Sequence, residues 1–373
     1  MAEDPVERLA RGIVDGTVPF PYKKSFLDPP ETYFANLRRG RYVDVQVNRQ
    51  FPASRGGRQA CASWRFDGKF VSMVVAEEAY GDVDTMTDLF TEEARMAARV
   101  RRSQPPATAW RAPEKARQIA RTALASAGER EASAEALREA CYEHLRECTL
   151  FKVTLSEAVY RYFLGARVAQ GESVRALDPF AGWGDRALGA AAAGVEYVGV
   201  DPNSALAEGH ADIKRFVGRR GRSVDFFGAK FEDFAADRAD VFDIVFTSPP
   251  FFDFEIYSEE ESQSIADRSG SCASRPERLR RWLDEWFLPV TDLAWGLLAP
   301  GGCLAYYLPD AGGEISGPLV AHMEKNERAF RGVIACGRRA RRPLPLLVWR
   351  KAPADASASE SDAGPQASGA GAS

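Results

Sequence analysis

Three short stretches bring together residue types that can do chemistry. Arg175-Ala-Leu-Asp-Pro-Phe-Ala-Gly-Trp-Gly-Asp-Arg-Ala187 sets Asp178 at the end of an apolar run, then a turn bearing Gly182 and Gly184, then a helix-forming stretch. Glycines at those positions let backbone approach a ligand with no Cβ in the way. Asp201 ends the next apolar run, Glu196-Tyr-Val-Gly-Val200. A carboxylate there can accept two hydrogen bonds from the vicinal hydroxyls of a ribose. The third stretch, Ser248-Pro249-Pro250-Phe251, follows Phe242-Asp-Ile-Val-Phe-Thr247. Its prolines fix two φ angles and remove two donors, leaving carbonyl acceptors at the strand end. An exocyclic NH₂ has two hydrogens, which the Ser248 hydroxyl and the Pro249 carbonyl can accept, so that the nitrogen lone pair is aimed. Phe251 would stack on the ring that carries the amine.

The glycine turn has a competing reading. Gly182-x-Gly184-x-x-Ala187 satisfies the dinucleotide fingerprint, with Asp201 at the expected distance for a ribose acid. A pyrophosphate on the following helix needs positive potential, yet Asp178 and Asp185 flank this turn. Two carboxylates suit a ligand with a cationic amine. A ligand with a ribose at one end and an amino-acid amine at the other is S-adenosylmethionine.

The elements that must hold these residues follow from the pattern. From about Ser173 onward, short apolar runs alternate with helical stretches: Ser173 to Leu177, Glu196 to Val200, Ser223 to Phe227, Phe242 to Thr247 and Cys303 to Leu308. Strands separated by helices imply a parallel α/β sheet whose ligand loops lie at the strands' C-terminal ends. Ala187 to Ala193 and Leu279 to Leu298 are expected helices, the latter stopped by Pro300-Gly301-Gly302. In the first half, Trp64 to Ala76 predicts a hairpin about Asp67-Gly68, while Asp88 to Arg102 and Ala112 to Glu147 predict helix, the second in more than one piece.

Composition bounds the rest. The 373 residues are 45% apolar and 27% charged, an ordinary globular balance that excludes global disorder and a collagen-like fibre. No run approaches the length of a membrane span, and Glu3, Asp4 and Glu7 stand where a signal peptide would be basic, so a soluble intracellular protein that is not secreted is expected. Six cysteines without a CxxC pair and three isolated histidines give no metal-ligand spacing. The net charge of −4 is an average. Residues 352–373 read as a disordered acidic tail, and basic residues bunch at Arg38 to Arg41, Arg95 to Arg102, Lys214 to Arg222 and Arg331 to Lys351. Together the clusters favour a polyanion as partner.

Asp178-Pro-Phe-Ala-Gly-Trp-Gly184, Asp201 and Ser248-Pro-Pro-Phe251 resemble motifs I, II and IV of the class I S-adenosylmethionine-dependent amino-methyltransferases, over about residues 151–351. With Trp183-Gly-Asp-Arg186 and Ser-Pro-Pro-Phe-Phe-Asp-Phe-Glu-Ile-Tyr257, the chain is similar to methylase-like proteins of viruses and microbial eukaryotes. The resemblance implies a Rossmann-like, mostly parallel sheet of seven strands in residues 148–351, preceded by an α+β region, 1–147, for target recognition. It implies S-adenosylmethionine as cofactor, held by Asp178, Phe180, Ala181, Gly182, Gly184, Asp185 and Asp201, with Phe231, Glu232 and Asp233 at the adenine. Phe151 and Thr154 take the place of motif X. The acceptor side falls to Ser248, Pro249, Pro250 and Phe251, and the partner is a nucleic acid, DNA ahead of RNA. Serine at the first motif IV position resembles the cytosine-N4 branch, whereas Asn or Asp is usual in adenine-N6 and protein-glutamine enzymes. An RNA amino-methyltransferase, a protein-glutamine enzyme and a non-catalytic nucleic-acid module stay open. The acidic stretch Ser258 to Ser271 is expected as a lid, with Asp253, Glu255 and Tyr257 leading into it.

Overall fold

A computed structural model describes residues 3–37, 41–44, 64–74, 83–128, 131–263, 274–310, 312–337 and 343–354. The tail beyond 354 lies outside the described residues. Among the described residues there are eleven strands: β1 (Arg41–Asp44), β2 (Val71–Val74), β3 (Arg99–Val100), β4 (Arg175–Asp178), β5 (Glu196–Val200), β6 (Val224–Phe227), β7 (Phe242–Thr247), β8 (Glu255–Ile256), β9 (Leu298–Tyr307), β10 (Phe330–Gly337) and β11 (Leu344–Arg350). Nine form one sheet in the order β1-β2-β10-β11-β9-β7-β4-β5-β6. The strands from β4 to β7 and β9 are parallel to one another, and β11 runs antiparallel between β9 and β10.

The central strands match the apolar runs because a sheet covered on both faces needs continuous rather than alternating apolar residues. In β7, Ile244 and Phe246 face one core with Tyr160 and Ala176, whereas Phe242 and Val245 face the other with Trp282 and Leu304. Chain order and sheet order reverse between β4 and β7. Such a switch opens a crevice beyond the strand ends, where a ligand can bind. Helix Val153–Ala169 packs on helix Asp185–Ala193 at Gly189, where a Cβ would lie 2.0 Å from the Ser156 hydroxyl.

Among the described residues of region 1–147, β1 and β2 join the same sheet, while β3 pairs with β8 in a separate two-stranded sheet. β1 and β2 add to the edge of the larger sheet through the parallel pairing of β2 with β10, giving nine strands where seven were expected. Among the described residues, Phe66 and Lys69 alone bridge across the Asp67-Gly68 turn, whose two residues have φ of 46° and 76°. Helices Pro5–Asp15, Pro113–Ser126 and Ala134–His144 pack on a separate core around Ile13, Trp110, Ile119 and Cys141. A buried ion network joins this cap to helix Asp88–Ala97: Arg138 reaches Glu92 at 2.8 Å, and Arg95 reaches Asp88 and Glu147 at 2.7 and 2.9 Å. The expected helix from Leu279 is broken, because Leu283–Phe287 forms a π-helical turn between Arg275–Trp282 and Leu288–Gly296. Among the described residues no helix is long and apolar enough to cross a membrane.

Candidate active site

Asp178 ends β4 fully buried, and four groups converge on it. Arg186 Nε and the Tyr197 hydroxyl donate to Oδ2, both at 2.7 Å, while Thr247 Oγ1 donates to Oδ1 at 2.6 Å and the Phe180 amide at 3.3 Å. Burial works against the charge on Arg186, but Asp178 and Tyr197 outweigh it and hold its pKa above the usual arginine value. Asp178 therefore fixes β4, β5 and β7 in register behind the crevice. This corrects the expectation that its carboxylate stands open to a ligand amine.

Asp185 is corrected in the same sense. It is 2% exposed, with Oδ1 accepting from Thr87 Oγ1 at 2.7 Å, and burial pushes its carboxyl up to about 7. The folded chain thus keeps a proton that the unfolded chain releases near 3.8. That contribution is complete below the unfolded value and is lost as pH rises through about 7. Asp185→Asn keeps the acceptor for Thr87 and removes the loss. In denaturant titrations the variant should gain on wild type between about pH 4 and pH 7, reaching a lead on the order of a few kcal/mol that then stays constant. A lead independent of pH would contradict this account of Asp185.

The glycine turn and Asp201 do form a cradle. Gly182 and Gly184 have φ of 54° and 98°, a region that disfavours side chains, and a Cβ on Gly184 would sit 2.4 Å from Ile213 Cδ1. Asp201 is partly exposed. Its Oδ2 accepts from the Gly182 amide at 2.9 Å and its Oδ1 from the Asn203 amide at 3.0 Å. Each oxygen retains a lone pair, enough for one hydroxyl apiece. Ala181 is held by its backbone amide, which donates to Val200 O at 2.9 Å. Below the turn, His210 Nε2 lies 2.8 Å from Gly182 O, so that nitrogen carries the proton, and its ring stacks on Phe226 at 4.0 Å. Burial, only partly offset by Asp201, lowers the His210 pKa and keeps the ring neutral. These residues fit the ribose and backbone-cradled end of S-adenosylmethionine.

The remaining donor-side expectations divide. Phe180 is partly buried against Trp286, with ring centroids 5.4 Å apart. Phe231 is 2% exposed and packs on Phe234, so its ring belongs to the core. Glu232 is partly exposed and Asp233 exposed, and both stand in the first turn of helix Phe231–Ala235, where a carboxylate is favoured without a ligand. The Thr154 hydroxyl donates to Asp84 Oδ1 at 2.8 Å, and Phe151 packs edge-on against Tyr307 at 4.9 Å beneath the Arg186 guanidinium. The motif X residues thus anchor helix Val153–Ala169, which corrects their reading as side chains turned to the donor.

Ser248 is different. It is partly exposed, and its hydroxyl makes no hydrogen bond with any described residue. Neither the Pro249 nor the Pro250 carbonyl accepts a backbone hydrogen bond from a described residue. Pro249 is buried, Phe251 partly exposed, and both follow directly from β7. A row of unfilled acceptors on rigid backbone therefore ends β7, the strand that pairs with β4 and so neighbours the one leading into the glycine turn.

A loop crosses above. Glu260 accepts from the Ser204 hydroxyl and amide, and Ser262 Oγ donates to Pro202 O at 3.4 Å, so the strand-end loop touches the segment just after Asp201. Glu255 is a structural acceptor, bonded by the Thr149 amide at 2.9 Å and the Tyr257 hydroxyl at 2.7 Å. Asp253 pairs with Arg275 at 3.3 Å. Residues 264–271 of the expected lid lie outside the described residues. Arg186, Tyr197, Thr247 and Thr87 carry no sequence signal for these roles beyond a basic residue beside Asp185 at the helix start.

Several expected phosphate contacts are spent internally. Arg95 is buried in the ion network, Lys214 pairs with Asp225 at 2.6 Å, and Arg220 pairs with Glu31 at 3.3 Å. Lys351 Nζ donates to Leu298 O at 2.7 Å. Arg38 and Arg39, and the basic run from Arg338 to Arg342, lie outside the described residues.

No family model matches the chain, and no curated protein does. Solved structures are similar at a low level. An S-adenosylmethionine-dependent methyltransferase from Agrobacterium tumefaciens is 20% identical, with a TM-score of 0.34 over 56% of this chain and 66% of that one. TrmN from Thermus thermophilus is 19% identical, with a TM-score of 0.35 over 54% and 49%. A 16S rRNA N2 G1207 methyltransferase from T. thermophilus, solved with AdoMet and guanosine, is 19% identical, with a TM-score of 0.32 over 52% and 43%. The last two are matched over less than half their length.

Proposed function

We propose that this chain is an S-adenosylmethionine-dependent methyltransferase acting on the exocyclic amine of a nucleic-acid base, with N4 of cytosine or N6 of adenine in DNA as the target. The observation that carries the reading is the row of unfilled acceptors at Ser248, Pro249 and Pro250, which ends the strand beside the Asp178–Asp201 crevice. When bound, the sulfonium cofactor supplies an electrophilic methyl group. Asp201 accepts from the ribose hydroxyls, and the Gly182–Gly184 backbone makes room for the donor without side chains.

On the acceptor side, Ser248 Oγ and the Pro249 carbonyl accept the two N–H groups. This turns the amine lone pair out of conjugation with its ring and toward the crevice. Ser248 need not be a strong base, because the proton leaves after the new N–C bond forms. No protein nucleophile is required; among the described residues the four cysteines are all buried, and burial pushes the Cys141 thiol up to about 12 and raises those of Cys148 and Cys336 as well. A target base inside a duplex would have to be flipped out to reach Phe251. The test is incubation with S-adenosylmethionine labelled in its methyl group and with DNA or RNA. Label is expected in DNA, and its absence from both polymers would contradict the reading.

A further inference from the structure

Past Phe251 the acceptor loop turns back on itself. The Phe254 amide donates to Phe251 O at 3.0 Å, and Phe252 takes a φ of 52°, a costly value for an aromatic residue, with its ring buried against Trp282. The loop then docks on region 1–147: β8 pairs with β3, and the Arg101 amide donates to Phe254 O at 2.8 Å. The Arg101 guanidinium lies 4.8 Å over the Phe254 ring, which is 41% exposed. Neighbouring charges are matched. Arg99 pairs with Glu259 at 2.8 Å, Asp253 pairs with Arg275 and Arg278, and Arg275 also pairs with Glu314. Arg101 and Arg102 are both exposed and have no acidic partner among the described residues.

We propose that Arg101, Arg102 and Phe254 form a contact surface for a single-stranded nucleic acid passing the acceptor loop, a role that rests on the amine-methylation reading above. Two unmatched guanidinium groups suit phosphates, and an exposed ring suits an unstacked base, which every nucleotide of a single strand offers and a duplex does not. The turn that sets Phe254 in place is the turn that leaves Phe251, so a strand held here delivers a neighbouring nucleotide to Ser248. The surface also accounts for the joining of residues 99–102 to a loop far along the chain.

The test is fluorescence anisotropy of a labelled mixed-sequence oligonucleotide, as single-stranded DNA, single-stranded RNA and duplex DNA, across a salt series. Wild type should bind single strands ahead of duplex, and the tighter of DNA and RNA identifies the preferred sugar. Arg101→Glu with Arg102→Glu should weaken single-strand binding at least tenfold and flatten the log–log salt dependence by about 1.4. Phe254→Ala should weaken it by about fivefold to a hundredfold. Both variants should keep the wild-type melting temperature and donor affinity, since all three side chains are exposed. Unchanged affinity and salt slope, or duplex bound as tightly as single strand, overturns the surface. Strand binding that depends on Arg101 and Arg102 in a protein that transfers no methyl group supports the surface and overturns the amine reading. Methyl transfer to nucleic acid that both variants leave untouched overturns the surface alone.

Discussion

Ser248→Ala combined with Pro249→Ala is expected to slow methyl transfer by about two to three orders of magnitude while leaving donor affinity within about twofold. The size follows from what is removed. An aromatic amine donates its lone pair into the ring, so it reacts only when both N–H groups are held off that plane, and the two acceptors act together. Losing Ser248 removes the one hydroxyl in the loop that no described residue engages. Losing Pro249 frees a backbone angle and adds an N–H donor where the site presents acceptors. Donor affinity should hold because the Asp201 cradle is bonded to Gly182 and Asn203 and not to the loop's first two residues. Single-turnover rates alongside calorimetry separate the two quantities. A double variant that turns over at the wild-type rate would remove the amine clamp, whereas equal loss of affinity and rate would make the segment a donor contact.

Asp201→Ala carries the second large effect, a fall in donor affinity of about a hundredfold. Hydrogen bonds to a charged group are each worth roughly 1.5–3 kcal/mol, and two bonds lost in a partly exposed site come to about 3 kcal/mol. The Gly182 and Asn203 amides also lose their acceptor, which loosens the turn. Asp201→Asn separates the contributions: it retains one oxygen for a backbone amide, and its loss should be nearer tenfold. Calorimetry with S-adenosylmethionine reads both, and equal affinity in wild type and Asp201→Ala would sink the ribose assignment.

Much of the sheet was legible because β4, β5 and β7 are short, mostly apolar runs bounded by turns, the form that burial on both faces demands. β3 and β8 were not. Each has two residues, and their pairing joins Arg99 to Ile256, a contact that no local pattern encodes. The π-helical turn at Leu283–Phe287 was hidden likewise, since its apolar spacing reads as ordinary helix. Within the site, acids at two strand ends were readable by type, but their partners were not. Asp178 meets Arg186 and Tyr197 only once β4 and β5 pair, and Asp185 is buried by Thr87 from a helix almost a hundred residues upstream. The basic clusters were readable as runs of charge, but the partners of Arg220, Arg95 and Lys214 were not, because Glu31, Asp88 and Asp225 come from other elements.

The loop residues Ser248 to Phe251 were visible because their chemistry is local. Prolines restrict the backbone on which they sit, whatever packs around them. That same locality makes the central claim accessible to one experiment. Purified protein is incubated with S-adenosylmethionine and with DNA, the DNA is digested to nucleosides, and these are resolved by mass spectrometry beside a Ser248→Ala, Pro249→Ala control. N4-methyldeoxycytidine or N6-methyldeoxyadenosine is expected in the wild-type digest, with a strong reduction in the control. A methyl group found on a ring carbon, or an amine product made equally well by the control, would contradict the central claim.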